Sequence, residues 1–237
     1  MKNKVIKYAT KQSERYILSQ MKRQGADGYI KKGTFTNEIV WGAFSYIIPC
    51  NNSKRAQKTF KSGMFLFGMV RADAMRYLAR HSVRLPKRRP QVEYARNLDE
   101  SILGKVAGTD LNHAYWRIAL NLGVISERTY EKGLDDKFKS VRLAALSTLG
   151  ADKRYQKIEA GDFVKDYHLV KGNPELQKVY TLIRLTCYKY MSQVKKMLGE
   201  DFLAYKTDAI YYADRNGNRQ KVRKFFEEKD LLMKQLA

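Results

Sequence analysis

Two aspartates stand where separate strands could carry their carboxylates to one place. Asp110 closes a short apolar run and opens Asp110-Leu-Asn-His-Ala-Tyr115, and Asp208 lies within the alternating run Tyr205-Lys-Thr-Asp-Ala-Ile-Tyr-Tyr212. Two carboxylates from neighbouring strands are the least a protein needs to hold a pair of Mg²⁺ (or Mn²⁺) ions. A hard dication takes few carboxylates and fills its other positions with water and phosphate oxygens. Between the aspartates lie cations suited to phosphate: Arg128 and Lys132 at i, i+4 on one helical face, then Lys139 and Arg142. Arginine forks onto phosphate oxygens where lysine offers a point charge. Each residue also has a plainer reading. Asp110 suits an N-cap, Asp208 a hairpin turn, Tyr115 a helix core, and Arg128 with Lys132 a solvated face.

The elements that would position these residues follow from apolar spacing. Residues 104–109 read as a strand ending in Asp110. A helix is expected over about 112–122, a second opening at Ser126 with Glu127 in its first turn, and a third from about Lys137 to Leu149, stopped by Gly150. Residues 163–170 suit a strand, and Asn173-Pro174-Glu175 begins the longest helix, to about Leu198. Phe202–Ala213 alternates and turns near Thr207-Asp208 as a hairpin does, and a final amphipathic helix is expected to reach the C-terminus. Upstream, residues 3–24, 54–60 and 64–81 suit helices, while Pro86-Lys87-Arg88-Arg89-Pro90 reads as an extended basic linker. Thr36–Ile48 is aromatic and β-branched and fits either a strand or a buried helix.

Composition narrows the partners. The 237 residues carry 46 Lys+Arg against 24 Asp+Glu, a net charge of +22, with 44% hydrophobic side chains. That is enough apolar chain to bury a core, and a charge surplus tolerated most easily beside a polyanion. The surplus is steeper in residues 1–103, with 21 basic and 7 acidic side chains, which makes that segment the better candidate to track a nucleic-acid backbone. Cys50 and Cys187 lie far apart and the three histidines are scattered, so neither a zinc spacing nor a disulfide framework is present, and a reducing compartment is expected. The N-terminus lacks an apolar leader segment and no run reaches the ~20 apolar residues of a membrane span, so a soluble chain is expected.

Order and chemistry together resemble the palm of family B DNA polymerases. The family's D-x-x-S-L-Y-P motif is similar to Asp110-Leu-Asn-His-Ala-Tyr-Trp116, with His113, Ala114 and Trp116 replacing Ser, Leu and Pro. Its K-x-x-x-N-S-x-Y-G motif resembles Arg142-Leu-Ala-Ala-Leu-Ser-Thr-Leu-Gly150, and Y-x-D-T-D-S resembles Ala204-Tyr-Lys-Thr-Asp-Ala209, where Lys206 takes the place of the first aspartate. The resemblance covers about residues 102–215 and implies metal binding and catalysis by Asp110 and Asp208. It makes Tyr115 the residue that stacks under the incoming sugar and excludes a 2′-hydroxyl, and Arg142 a contact to the triphosphate. Arg128, Lys132 and Lys139 would join Arg142 there, while Lys87, Arg88, Arg89 and Lys206 would meet nucleic acid.

The expected fold is α+β, a small antiparallel palm-like sheet with flanking helices and a mainly helical basic N-terminal region. Three segments are expected: 1–101 contacting nucleic acid, 102–215 as palm with minimal fingers at about 117–150, and 216–237 as a C-terminal helix. The resemblance implies a template-directed polymerase adding dNTPs to a DNA primer with Mg²⁺. By analogy with other compact replication proteins it implies a phage or plasmid setting, in the host cytoplasm or a virion, with replication or virion partner proteins. The alternative is a palm that has lost turnover and serves as a non-enzymatic DNA-binding or virion-associated protein, since an ammonium at position 206 beside the ions would lower their affinity. A helix-turn-helix regulator is a third reading, to which the strand and hairpin region is surplus.

Overall fold

A computed structural model describes residues 5–32, 36–49, 54–85, 92–94 and 105–236. The fold is α+β, with a six-stranded and a five-stranded sheet among the described residues. The chain divides into two compact units, one from residues 1–69 and 135–177 and the other from 70–134 and 178–237. Two of the three cuts, after residues 69 and 177, fall inside helices and the third falls at a helix end; all differ from the sequence boundaries at 101 and 215, because each unit is completed by a segment distant in sequence.

In the first unit, β1 (Val5–Tyr8) leads to α1 (Lys11–Arg23), opened by a capping box in which Thr10 accepts from the Ser13 backbone. Next come β2 (Gly28–Lys32), β3 (Thr36–Trp41), β4 (Phe44–Pro49) and the start of α2 (Lys54–Arg80). The ambiguous stretch Thr36–Ile48 is therefore a β-hairpin, turning at Gly42 with φ +57. The N-terminal region joins its two helices to four strands of this sheet, which the sequence alone did not place, and the helix expected over 3–24 begins only after β1. Short edge strands such as β1, paired in parallel with β4, form only once a sheet exists to receive them, so local periodicity does not announce them.

After α2 the chain adds β5 (Val92–Tyr94), β6 (Val106–Leu111), α3 (Ala114–Asn121) and α4 (Glu127–Leu134) in the second unit. It then returns to the first unit for α5 (Lys139–Ser147), β7 (Lys153–Glu159) and β8 (Asp162–Val170). The six-stranded order is β1-β4-β3-β2-β7-β8, antiparallel apart from the β1–β4 pair. Ile30, Ile39, Ile48 and Ile158 on one face pack with Ile17 and Met21 of α1 to make this unit's core. Gly150 ends the helical segment at φ +68, where a Cβ would meet the Asn173 carbonyl at 2.4 Å.

The remaining elements belong mainly to the second unit: α6 (Pro174–Leu198), β9 (Phe202–Lys206), β10 (Ala209–Ala213), α7 (Asn218–Glu227) and β11 (Met233–Leu236). The sheet order is β11-β6-β10-β9-β5, antiparallel throughout. The C-terminal helix stops at Glu227 rather than running to the end. Leu231 donates its backbone N–H to Phe226, Asp230 takes φ +55, and the chain returns as β11 along β6. The open edge of β6 offers unpaired backbone groups, and that pairing outweighs the helical spacing of the tail.

Alternation gives this second sheet a closed and an open face. Thr109, Tyr205, Ile210 and Tyr212 are buried, and the Thr109 and Tyr212 hydroxyls share a hydrogen bond of 2.9 Å. The opposite face carries Asp110, Gly108, Ala209, Ala204, Tyr211, Lys206 and Lys234, small residues in the middle with charged and aromatic ones around them. No described helix is long and apolar enough to cross a membrane.

Candidate functional site

The ladder between β6 and β10 sets Asp110 opposite Ala209, and the Leu111 backbone N–H donates to the Asp208 carbonyl at 2.9 Å. Asp208 is thus the next residue along, in the two-residue turn joining β9 to β10. The structure brings the two aspartates to neighbouring positions at one end of the sheet. Asp110 is half-buried, and burial is the first cause raising its carboxyl above the ordinary value; the charge of Asp208 is the second, and Lys234 pulls it back down.

The turn holding Asp208 is unusual. Thr207 adopts φ +56, a left-handed conformation that is costly for a β-branched residue. Its hydroxyl lies 2.8 Å from Asp208 Oδ1 and 2.7 Å from the Lys206 carbonyl. His113, just after the Asp110 strand, is also left-handed at φ 55 and forms the N-cap of α3 without a side-chain capping bond. The N-cap position therefore belongs to His113 and not to Asp110.

Beneath the turn, α6 supplies Cys187, whose Sγ lies 3.6 Å from the Thr207 carbonyl. Burial and, second, the charge of Asp208 push its thiol up to about 12. Tyr115 of α3 comes into this region: its phenol is hydrogen-bonded to Tyr188 and feels Cys187 and Asp208, and burial is the largest cause of its raised pKa. Tyr188 also takes a hydrogen bond from Arg184, whose guanidinium lies 5.9 Å and 6.0 Å from the Tyr180 and Tyr188 ring centres. Tyr180, Arg184 and Tyr188 stand at i, i+4 and i+8 on α6, one polar-aromatic stripe.

A cross-strand row fixes the cations nearest Asp110. Lys234 of β11 is directly opposite it on one side, and beyond Ala209 on the other side is Lys206 of β9. Lys206 thus shares a face with Asp110, about two strand spacings, or roughly 10 Å, away. Lys234 went unnoticed in the sequence, since its place depends on β11 returning to β6.

The other sequence candidates are spread more widely. Arg128 and Lys132 are exposed on α4 in the same unit as the aspartates, whereas Lys139 and Arg142 belong to the first unit, where Lys139 is exposed and Arg142 is buried. Lys87, Arg88 and Arg89 lie outside the described residues. Among the described residues no cluster of three or more His, Cys, Asp or Glu forms a ready metal cage, so the site offers two carboxylates and no third. Two suffice for Mg²⁺, which keeps several waters and takes substrate phosphate as ligand.

Comparison of the chain with protein-family models, with curated proteins and with solved structures gave no match.

Proposed function

We propose that the second unit is a reduced polymerase palm that extends a DNA primer with dNTPs by metal-assisted phosphoryl transfer. The single observation that carries this reading is the placement of Asp110 and Asp208 at neighbouring positions, with Tyr115 close to Asp208. The order strand, helices, hairpin is the one the family resemblance implies, and the open face of small residues ringed by Tyr211, Lys206 and Lys234 suits a nucleic-acid strand.

In this reading Asp110 and Asp208 would hold Mg²⁺, which when bound lowers the barrier by drawing charge from the phosphate and the attacking hydroxyl. Lys206 and Lys234 would meet phosphate oxygens beside them, and Arg128 with Lys132 would receive the triphosphate. Tyr115, braced by Tyr188, would lie against the sugar and leave no room for a 2′-hydroxyl. Work on a DNA template would place the protein in the cytoplasm of a host cell or in a virion.

Purified protein should incorporate dNTPs on a primed DNA template with Mg²⁺, and Asp208→Ala should lower incorporation by at least about 10³-fold while DNA affinity stays within twofold. Tyr115→Ala should admit ribonucleotides. A second reading is favoured by the cross-strand row: two ammonium groups flanking Asp110 weaken divalent-ion binding, as a palm retained only to bind DNA could tolerate. That protein would show salt-sensitive DNA binding, no incorporation and indifference to Asp208→Ala.

A further inference from the structure

The first unit has a cleft of about 490 Å³ at the end of the β2–β7 ladder, lined by the cations Lys31, Lys32, Lys153 and Arg154 and by one carboxylate, Asp152, with Met64 and Phe67 of α2 as an apolar wall. The ladder sets Lys32 directly opposite Arg154. Like charges in that relation destabilise a sheet, and strand pairing usually avoids them. Nearby carboxylates do not relieve the pair. Glu38 is engaged by Lys31 at 3.2 Å and by the Ser45 hydroxyl, and Asp152 is held by Lys171 at 3.1 Å and by the Gly172 backbone. Lys32 rests over the Phe163 ring at 5.1 Å, and among the described residues neither Lys32 nor Arg154 has a carboxylate partner. Alternation puts Lys31 and Lys153 on the other face of the same strand ends, so cations surround the cleft mouth. The unit's residues carry 21 Lys+Arg against 10 Asp+Glu, so the field over the cleft is positive at long range as well.

We infer that this cleft binds the phosphate backbone of a single-stranded nucleic acid, with Lys32 and Arg154 as the phosphate contacts and Phe67 as the face on which a base stacks. A cationic groove beside an aromatic ring is the pairing that holds single strands without reading sequence. An acidic peptide would use the cations but leave the ring idle, and a duplex would bury its bases from it. The inference does not rest on the catalytic reading, which concerns the other unit.

The test is fluorescence anisotropy of a labelled oligothymidylate, without Mg²⁺ or dNTP, across a salt series. Lys32→Gln/Arg154→Gln should weaken binding at least tenfold at low salt and reduce the slope of log K against log salt by about 1.4, two phosphates at about 0.7 each. Phe67→Leu should cost about tenfold with the slope unchanged, since a stacked base is lost but no phosphate contact is. Lys32→Gln alone should raise the melting temperature of the free protein, which also shows that the variant folds. An unchanged slope in the double variant overturns the inference. So does polyglutamate or duplex DNA competing as well as the oligothymidylate at equal charge. A protein that polymerises but keeps its slope in the double variant sinks the cleft and spares the catalytic reading, and one that never polymerises but loses the slope does the reverse.

Discussion

Asp110 titrates in a field set by its burial, by Asp208 and by Lys234, with the first two favouring the protonated form. A carboxyl whose pKa is raised on folding contributes stability that is fully present below its unfolded value of 3.8 and is lost as pH rises through the folded one. Without divalent ions, Asp110→Asn should therefore melt about 1–3 °C higher than wild type near pH 7, with the gap closing toward pH 4. A gap independent of pH would show that folding leaves the Asp110 pKa unshifted. Added Mg²⁺ should raise the wild-type melting temperature and leave the variant unmoved. Cys187, pushed up to about 12 by burial and by Asp208, should resist thiol reagents at pH 8 in the folded protein and react only on denaturation, read in a Cys50→Ser background. The left-handed Thr207 and His113 show strain placed on either side of the carboxylate pair, where the chain must turn sharply to present both.

Helices α3 and α4 meet in a close contact. Trp116 donates its indole N–H to the Tyr130 carbonyl at 3.0 Å, and a Cβ on Gly133 would meet the Trp116 ring at 2.3 Å. Gly133→Ala should lower stability by about 1–3 kcal/mol in urea denaturation, because the ring has to move out of a packed position. Ser126 caps α4 as its sequence position suggests, and the buried Asp73 of α2 accepts from both the Ser126 backbone and hydroxyl at 2.9 Å. The helix at Pro174–Leu198, the Phe202–Ala213 hairpin and the strand delivering Asp110 were legible because each combines a strong local period with a cap or a turn. The 54–60 and 64–81 segments are one helix, since Gly63 between them packs against Val141 and does not break it. Strands β1 and β11 were hidden, as each gains its conformation from a partner strand and not from its own residues.

A net charge of +22 acts on the whole chain. Self-repulsion of that size is screened as the Debye length falls from about 30 Å at 0.01 M to about 3 Å at 1 M salt. The melting temperature should accordingly rise between 20 mM and 500 mM NaCl in the absence of nucleic acid, as seen by calorimetry; a fall would show that attractive ion pairs dominate instead. The same charge sits on two units that each gather residues from both halves of the sequence, so the steeper surplus of residues 1–103 does not map onto one unit.

Local sequence was enough for the α+β class, for the secondary structure around Asp110 and Asp208, and for the turn between Lys206 and Ala209, since those depend on period, capping and turn chemistry within a few residues. Register was beyond it. Whether Lys234 would stand across from Asp110, whether Tyr188 would brace Tyr115, and whether Lys32 would be forced against Arg154 depended on pairings between segments many residues apart, which hydrogen-bonded ladders and burial select only when the chain is folded.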